Sequence, residues 1–137
     1  MKVKNPTDIQ IKELLEESKR IAVVGLSNNP ERTSYQVAKF MQNAGFEIIP
    51  VNPTIEEALE VKAVASLKEI SGTIDIVNVF RREEYLPEIA KQAINVKVKS
   101  FWAQLGIENE EAYSLLKDQE ILTIMNRCIK VEYARHQ

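Results

Sequence analysis

The chain has 137 residues, 28% of them charged, and a formal net charge of −2; its length fits one domain over residues 1–137, and it has no global basic charge to hold nucleic acid. The longest apolar runs, such as 21–26, are far shorter than the roughly 20 residues that span a bilayer, and the N-terminus lacks the apolar core of a secretory signal. The composition therefore predicts a cytoplasmic protein without a membrane or nucleic-acid partner.

The first nineteen residues predict a helix that covers one edge of a sheet. Thr7 and Gln10 have the spacing of a capping box, in which each side chain bonds the backbone N–H of the other end of the first turn. Ile11 and Leu15 follow at helical spacing and give the helix one apolar face.

Five apolar segments follow, and each predicts a strand. Most are continuous runs rather than alternations, which is typical of strands buried on both faces. The predicted strands are 21–26, 46–51, 74–80, 98–103 and 121–125. Helical periodicity is found at 34–44, 83–94 and 108–117, with Gly45 as the expected C-cap of the first helix. The weaker segment 56–70 predicts two short helical turns around a short extended piece.

Strands that alternate with helices indicate right-handed crossovers and hence a parallel sheet. The predicted fold is α/β: a single doubly wound, Rossmann-like domain with a five-stranded, mainly parallel sheet flanked by helices. In such folds ligands bind at the carboxyl ends of the strands. The loops after the five strands should therefore converge on one crevice.

The loop after the first predicted strand has the pattern of a phosphate site. A strand that ends at Gly25 and leads into a helix N-terminus presents unpaired N–H groups to an anion. Ser27 and Ser34 can donate hydroxyl hydrogen bonds or act as caps, and Arg32 offers a cation or is an exposed loop residue. A dinucleotide fingerprint needs three glycines, and this loop has only one. The pattern therefore favours a nucleotide other than NAD in its usual mode.

Asn52 bears on the identity of that nucleotide. In NAD enzymes the second strand normally ends in a carboxylate that bonds the ribose hydroxyls, whereas here Asn52 and Pro53 follow the strand. A carboxylate would repel a phosphate on the ribose, and an amide tolerates it. CoA and NADP both carry such a phosphate. In the alternative interpretation, Asn52 and Pro53 only form a turn.

Five motifs in register resemble the bacterial and archaeal CoA-binding family. They are VGLSNNPERTSY, PVNP, DIVNVFRR, WAQLG and MNRCIK, spread over residues 21–135. The family consists of small stand-alone Rossmann-type proteins similar to the CoA-binding domain of the succinyl-CoA synthetase α subunit. The resemblance implies that the CoA pyrophosphate lies at Gly25, Ser27 and the loop through Ser34, and part of the adenosine near Asn52 and Pro53.

The chain departs from the family pattern at four positions. Glu60, Lys97 and Glu120 stand where the family commonly has glycine, and we expect these changes to affect turns rather than binding. Asn126 stands where an aspartate is usual. An amide cannot act as a general base, which argues against acid–base chemistry at that loop.

The candidate site residues come from all five loops. They are Gly25, Leu26, Ser27, Asn28, Arg32, Ser34, Tyr35, Asn52, Pro53, Phe80, Arg81, Gln104 and Gly106, with Cys128 as an optional thiol contact. The pattern does not decide which of Arg81 and Arg82 faces the crevice and which pairs with Glu83 or Glu84. Cys128, the only cysteine, is either buried and structural or positioned to form a mixed disulfide with the CoA thiol.

The sequence predicts non-catalytic binding of CoA or an acyl-CoA, as a regulatory or carrier module. It offers no credible set of Ser, His and Asp, no metal cluster and no paired carboxylates in the predicted loops. Two alternatives stay open: an NADP-linked oxidoreductase module, and a protein-interaction domain with a vestigial nucleotide pocket. The sheet edges also allow a homodimer, and no protein partner is indicated.

Overall fold

Short apolar strands alternate with amphipathic helices along residues 2–137, the part of the chain that the computed structural model describes. The helices are α1 (Asp8–Glu17), α2 (Thr33–Asn43), α3 (Leu86–Asn95), α4 (Glu110–Asp118) and α5 (Ile129–Arg135). The strands are β1 (Arg20–Val24), β2 (Glu47–Val51), β3 (Glu57–Ala58), β4 (Val61–Lys62), β5 (Ile76–Val79), β6 (Ser100–Ala103) and β7 (Leu122–Ile124). None of these helices combines the length and apolar character needed to cross a membrane.

The main sheet has five parallel strands in the order β2-β1-β5-β6-β7, which confirms the predicted fold class. Ile21 of β1 lies opposite Ile48 of β2 on one side and Ile76 of β5 on the other. The chain runs outward from β1 to β2 and then returns to β5 on the other side of β1. Loops after β1 and β5 therefore diverge, and the crevice where ligands bind in open α/β sheets lies between them.

The sheet is buried on both faces, as the continuous apolar runs predict. Ala22 and Val24 of β1 pack with the apolar faces of α3 and α4. Ile21 and Val23, which point the other way, pack with α1, α2 and α5. Two core layers of this kind make the fold doubly wound.

Segment 56–70 differs from its prediction of two helical turns. It forms the antiparallel hairpin β3–β4 and then a single 3-10 turn at Leu67–Glu69. The hairpin turns at Leu59 and Glu60, whose φ angles are 54° and 63°. Two positive φ angles are what a tight hairpin turn needs, but glycine or asparagine normally signals it. The prediction was wrong because Leu-Glu carries no such signal.

The N-terminal segment packs on one face of the sheet and also protects an edge. The Thr7 capping box is present, and Ile11 is fully buried with the α2 and α5 side chains. Just before α1, Asn5 makes two hydrogen bonds of 2.9 Å, one to the N–H and one to the carbonyl of Met125, directly after β7. These bonds satisfy backbone groups beside the outer strand of the sheet.

Polar groups at the amino end of the sheet are paired with one another. The Asp75 carboxylate accepts hydrogen bonds from the N–H groups of Lys19 and Arg20, both at 2.9 Å, and lies 3.5 Å from the Lys99 ammonium. Burial alone would raise the pKa of this carboxyl, but the N–H groups of Arg20 and Lys19, together with Lys99, outweigh it and lower the pKa below its ordinary value. Arg20 in turn donates to Glu47 and to the carbonyls of Ser71 and Thr73.

Three helices end at this side of the sheet in the same Schellman geometry, in which the residue after the C-cap has a positive φ. At α2 this residue is Gly45, with φ 112°. At α3 and α4 it is Lys97 and Glu120, with φ 57° and 58°. These are two of the positions where the resembled family commonly has glycine, so the departures fall on strained turns.

Candidate nucleotide-binding site

Two clefts lie side by side at the carboxyl ends of the strands. The β2-side cleft has a volume of about 510 Å³ and is lined by Val24, Gly25, Val51, Asn52, Pro53, Thr54, Ala65, Ser66, Arg81, Tyr85, Glu88, Ile89 and Gln92. The β6-side cleft has a volume of about 680 Å³ and is lined by Thr33, Phe80, Arg81, Arg82, Glu83, Glu84, Gln104, Leu105, Gly106, Ile107 and Cys128. Arg81 lines both, so the two clefts adjoin at this side chain.

Arg81 is held by an aromatic contact rather than by an ion pair. Its guanidinium carbon lies 4.5 Å from the centroid of the Tyr85 ring. Within residues 2–137 neither Arg81 nor Arg82 makes a salt bridge, so the expected pairing with Glu83 or Glu84 is not found. Arg82 lines only the β6-side cleft. The guanidinium at the junction therefore remains available to an anion.

Gly25 brings the ends of β1 and β5 close together. Its φ is +88°, and a Cβ atom added here would lie 2.8 Å from the carbonyl oxygen of Phe80 and 3.0 Å from Cδ of Arg81. Its own N–H donates to the carbonyl of Val51. A side chain at this position would push on the backbone of β5 and displace Arg81, so the turn requires glycine.

The loop between β1 and α2 is folded by its own side chains. The Ser34 hydroxyl oxygen accepts from the N–H of Ser27, and the Ser27 hydroxyl oxygen accepts from the N–H of Asn29, both at 3.0 Å. Neither serine caps α2. The N-cap residue is Arg32, and its side chain makes no capping hydrogen bond. The first turn of α2 therefore presents uncapped N–H groups and the positive end of the helix dipole.

Asn52 joins two loops instead of offering its amide to a ligand. Its Nδ2 donates to the carbonyl of Leu26 at 3.0 Å, and its Oδ1 accepts from the N–H and the hydroxyl of Thr54. This is the turn-forming role that the sequence left as an alternative. No carboxylate replaces it at the end of β2, so the electrostatic argument for a phosphorylated ribose does not depend on contact with the amide.

Gln104 is buried and oriented by the fold. Only 5% of the residue is exposed, and its Oε1 accepts from Asn78 Nδ2 and from the N–H of Ile129, each at 3.3 Å. Because both partners are donors, the oxygen must face them, and Nε2 is turned away from them. Nε2 has no acceptor within residues 2–137, and Gln104 lines the β6-side cleft.

The last loop is fixed by Asn126 and Trp102. Asn126 has a φ of 60°, and its Oδ1 accepts from the N–H of Gly106 at 2.6 Å. The fully buried Trp102 donates from Nε1 to the carbonyl of Arg127 at 2.9 Å. Cys128 follows as the N-cap residue of α5, half-buried at the wall of the β6-side cleft.

The predicted site residues fall into two groups. Those that line a cleft are Gly25, Asn52, Pro53, Phe80, Arg81, Gln104, Gly106 and Cys128. Those that line neither cleft are Leu26, Ser27, Asn28, Arg32, Ser34 and Tyr35. The second group lies in the loop after β1 and in the first turn of α2, where Leu26 is fully buried and Tyr35 packs against the core.

Sequence reasoning missed several cleft residues, among them Tyr85, Leu105 and Ile107. Tyr85 comes four residues after Arg81, a spacing at which side chains meet when the chain turns helically, and this signal was available. Leu105 lies between two predicted site residues, Gln104 and Gly106, and this position in the loop is a usable signal in the sequence.

The comparisons with known proteins agree with this architecture. The family model described as "CoA binding domain" matches residues 19–134. "Uncharacterized protein YneT" of Bacillus subtilis (strain 168) is 61% identical over 132 residues, which cover 96% of this chain and 98% of that protein. A solved structure described as "hypothetical protein from Pyrococcus horikoshii OT3" has a TM-score of 0.91 and 34% identity, and the match covers 98% of both chains.

A shorter match links the chain to an enzyme subunit. "Acetate--CoA ligase [ADP-forming] II subunit alpha" of Pyrococcus furiosus is 44% identical over 57 residues, which are 41% of this chain but only 12% of that subunit. The family match, by contrast, spans both clefts and all five strands of the main sheet. The chain belongs to the CoA-binding domain family.

Proposed function

We propose that this chain binds CoA or an acyl-CoA non-covalently across the two clefts, as a regulatory or carrier module rather than a catalyst. The observation that carries the proposal is the position of Arg81. Arg81 lies where the two clefts adjoin, its Cδ is next to Gly25, and its guanidinium has no ion pair within residues 2–137, while Thr33 at the start of α2 lines one of the clefts. A cation beside an uncapped helix N-terminus suits a pyrophosphate.

The order of chemical groups in CoA fits this arrangement. With the pyrophosphate at Arg81 and the first turn of α2, the phosphorylated adenosine extends into the β2-side cleft. The pantetheine arm then extends into the β6-side cleft, past Phe80 and Gln104, and its thiol approaches Cys128. Each cleft alone has the volume of a small-ligand site.

The choice of CoA over NAD rests on charge at the β2-side cleft. The acidic side chain that lines this cleft is Glu88 of α3, and the residue directly after β2 is Asn52 rather than a carboxylate. A phosphate on the ribose is therefore not repelled from the end of β2. The name of the Pyrococcus furiosus relative, a CoA ligase subunit, supports the same choice.

The proposal of a non-catalytic role rests on how the polar side chains near the clefts are used. Asn52, Gln104 and Asn126 each hold the backbone or side chains of neighbouring loops through hydrogen bonds. The one histidine of the chain, His136, lies at the C-cap of α5 and lines a separate pocket with Ser18. Neither arrangement provides a general base at the clefts, where the carboxylates of Glu83, Glu84 and Glu88 are the remaining candidates and have no histidine partner within the described residues.

Calorimetric titration with CoA, NADP and NAD tests the proposal. We expect CoA to bind, and Arg81→Ala to weaken it about tenfold, because a charge-assisted hydrogen bond contributes about 1.5 kcal/mol. Arg135→Ala is the matched control, since it removes the same charge from the far end of α5 and should leave the CoA affinity within twofold. Tight binding of NAD without binding of CoA would overturn the proposal.

A second candidate is an NADP-linked module, which the absence of a carboxylate after β2 also allows. It predicts that NADP binds more tightly than CoA and that a carbonyl compound is reduced when NADPH is supplied. A protein-interaction domain with a vestigial pocket predicts that none of the three nucleotides binds. The same titration therefore separates all three functions.

A further inference from the structure

The β6-side cleft has an apolar rim that free CoA does not explain. Leu105 is 66% exposed in the loop after β6, and Ile107 and Phe80 are half-buried beside it. Unlike an isolated apolar residue on the surface, Leu105 lines a cleft together with Ile107 and Phe80, and covering this apolar surface with a ligand is favourable. In the arrangement proposed above, the pantetheine arm passes Phe80 and Gln104, and the free thiol at its end is too small to cover Leu105 and Ile107 as well.

A buried polar donor lines the same cleft, in addition to Thr33, Arg81 and Arg82. Gln104 is buried, with only 5% of the residue exposed. Both of its protein partners donate to Oε1, which fixes the direction of the amide. Its Nε2 therefore offers N–H groups to the cleft, which Gln104 lines, and has no acceptor within residues 2–137. A buried donor beside the apolar side chains of Leu105 and Ile107 fits a ligand carbonyl that is followed by a hydrocarbon chain.

From these observations we infer that the β6-side cleft is an acyl subsite and that the ligand class is acyl-CoA with a chain of several carbons. The thioester carbonyl accepts from Gln104 Nε2, and the acyl chain lies against Leu105 and Ile107. This inference rests on the proposed function, because it assumes that the CoA part is bound at Arg81. It also specifies which form of CoA the protein prefers.

The test compares CoA, butyryl-CoA and octanoyl-CoA by calorimetry with the full chain under reducing conditions. Full burial of one methylene strengthens binding about fourfold, and an open cleft gives about half of that free energy, or about twofold. Four additional methylenes should therefore make octanoyl-CoA bind at least about tenfold more tightly than butyryl-CoA. Equal affinities for CoA and octanoyl-CoA would overturn the inference and leave CoA binding itself intact.

A variant and a control test where the acyl chain of the ligand lies. Leu105→Ser should lower the ratio of octanoyl-CoA affinity to CoA affinity at least threefold. Ile9→Ser is the matched control, because Ile9 is 70% exposed on α1 and should leave the ratio unchanged. An unchanged ratio in Leu105→Ser would also overturn the inference. If no form of CoA binds, the proposed function is wrong as well as the inference. This result differs from equal binding of CoA and octanoyl-CoA, which contradicts the inference alone.

The Gln104 contact is tested from the ligand side, because Gln104 also supports α5. S-octyl-CoA has the same chain but a thioether in place of the thioester carbonyl. It should bind about threefold to tenfold more weakly than octanoyl-CoA, the range for one neutral hydrogen bond. Equal affinities of the two ligands would remove Gln104 from the subsite.

Discussion

The two ends of the parallel sheet use their polar groups in opposite ways. At the amino end, Asp75 is bonded to Lys19, Arg20 and Lys99, so the charged groups are paired within the chain. At the carboxyl end, Arg81 has no ion pair within residues 2–137, and the first turn of α2 has no side-chain cap. The amino end thus stabilises the fold, while the carboxyl end leaves these donors unpaired within the described residues, as the proposed ligand site requires.

The largest expected effect is a loss of stability when Gly25 is replaced at the carboxyl end of the sheet. Gly25→Ala combines a positive φ with a contact of 2.8 Å to the Phe80 carbonyl, and we expect the free energy of unfolding to fall by about 3 kcal/mol. Gly106→Ala is the control, because Gly106 has a similar φ of +85° but no atom within 4 Å of the added Cβ. It should lose only about 1 kcal/mol. Equal losses in urea unfolding would show that the close approach is unimportant.

The next largest effect is a loss of stability when Asp75 is replaced at the amino end of the sheet. Asp75→Asn should destabilise the chain by about 2 kcal/mol at pH 7, because hydrogen bonds to a charged acceptor are lost. Since the folded state lowers the pKa of this carboxyl, its stabilisation is present above the unfolded pKa of about 3.9 and disappears as the pH falls through the lower folded value. The difference between the two proteins should therefore narrow below about pH 4.

Urea unfolding at several pH values measures that difference. Glu47→Gln is the control at the same end of the sheet, because Glu47 is an exposed carboxylate paired with Arg20. It should change stability by less than about 0.5 kcal/mol. CoA affinity should be unaffected by either variant at pH 7. A difference between wild type and Asp75→Asn that stays constant across the pH range would contradict the assigned role of the charge.

The smallest expected effect is a gain in stability at the amino end of the sheet. Lys97→Gly and Glu120→Gly remove a positive-φ side chain after α3 and α4, which relieves strain but adds flexibility to the unfolded chain. We expect each to stabilise the fold by about 0.5 kcal/mol without changing CoA affinity. Lys117→Gly, inside α4, is the opposite control and should destabilise by about 1 kcal/mol. Loss of stability in both turn variants would show that these turns are not strained.

Local patterns were sufficient to predict much of this molecule. The Thr7 capping box, the doubly buried strands and the turn at Gly25 follow from a few neighbouring residues, and the structure confirms them. Segment 56–70 could not be predicted, because Leu59 and Glu60 adopt a turn that their side chains disfavour and that the pairing of β3 with β4 imposes.

The roles of individual site residues were harder to predict, because they depend on distant partners. Gln104 is oriented by Asn78 and Ile129, which are 26 and 25 residues away in the chain. Asn52 bonds to the carbonyl of Leu26, across two neighbouring strand ends. Which of two adjacent arginines lies at the junction of the clefts depends on Tyr85 and on the space left by Gly25. None of these relations leaves a pattern in a short window of sequence.

The hydrogen bonds between Asn5 and Met125 bear on where the folding unit begins. The family match starts at residue 19, yet Asn5 satisfies backbone groups beside the outer strand, and Ile11 fills the core under α5. A fragment that begins at residue 19 would keep both clefts and all five strands of the main sheet but expose a β edge and an apolar face. We expect such a fragment to self-associate. The family model is therefore shorter than the unit that we expect to fold independently.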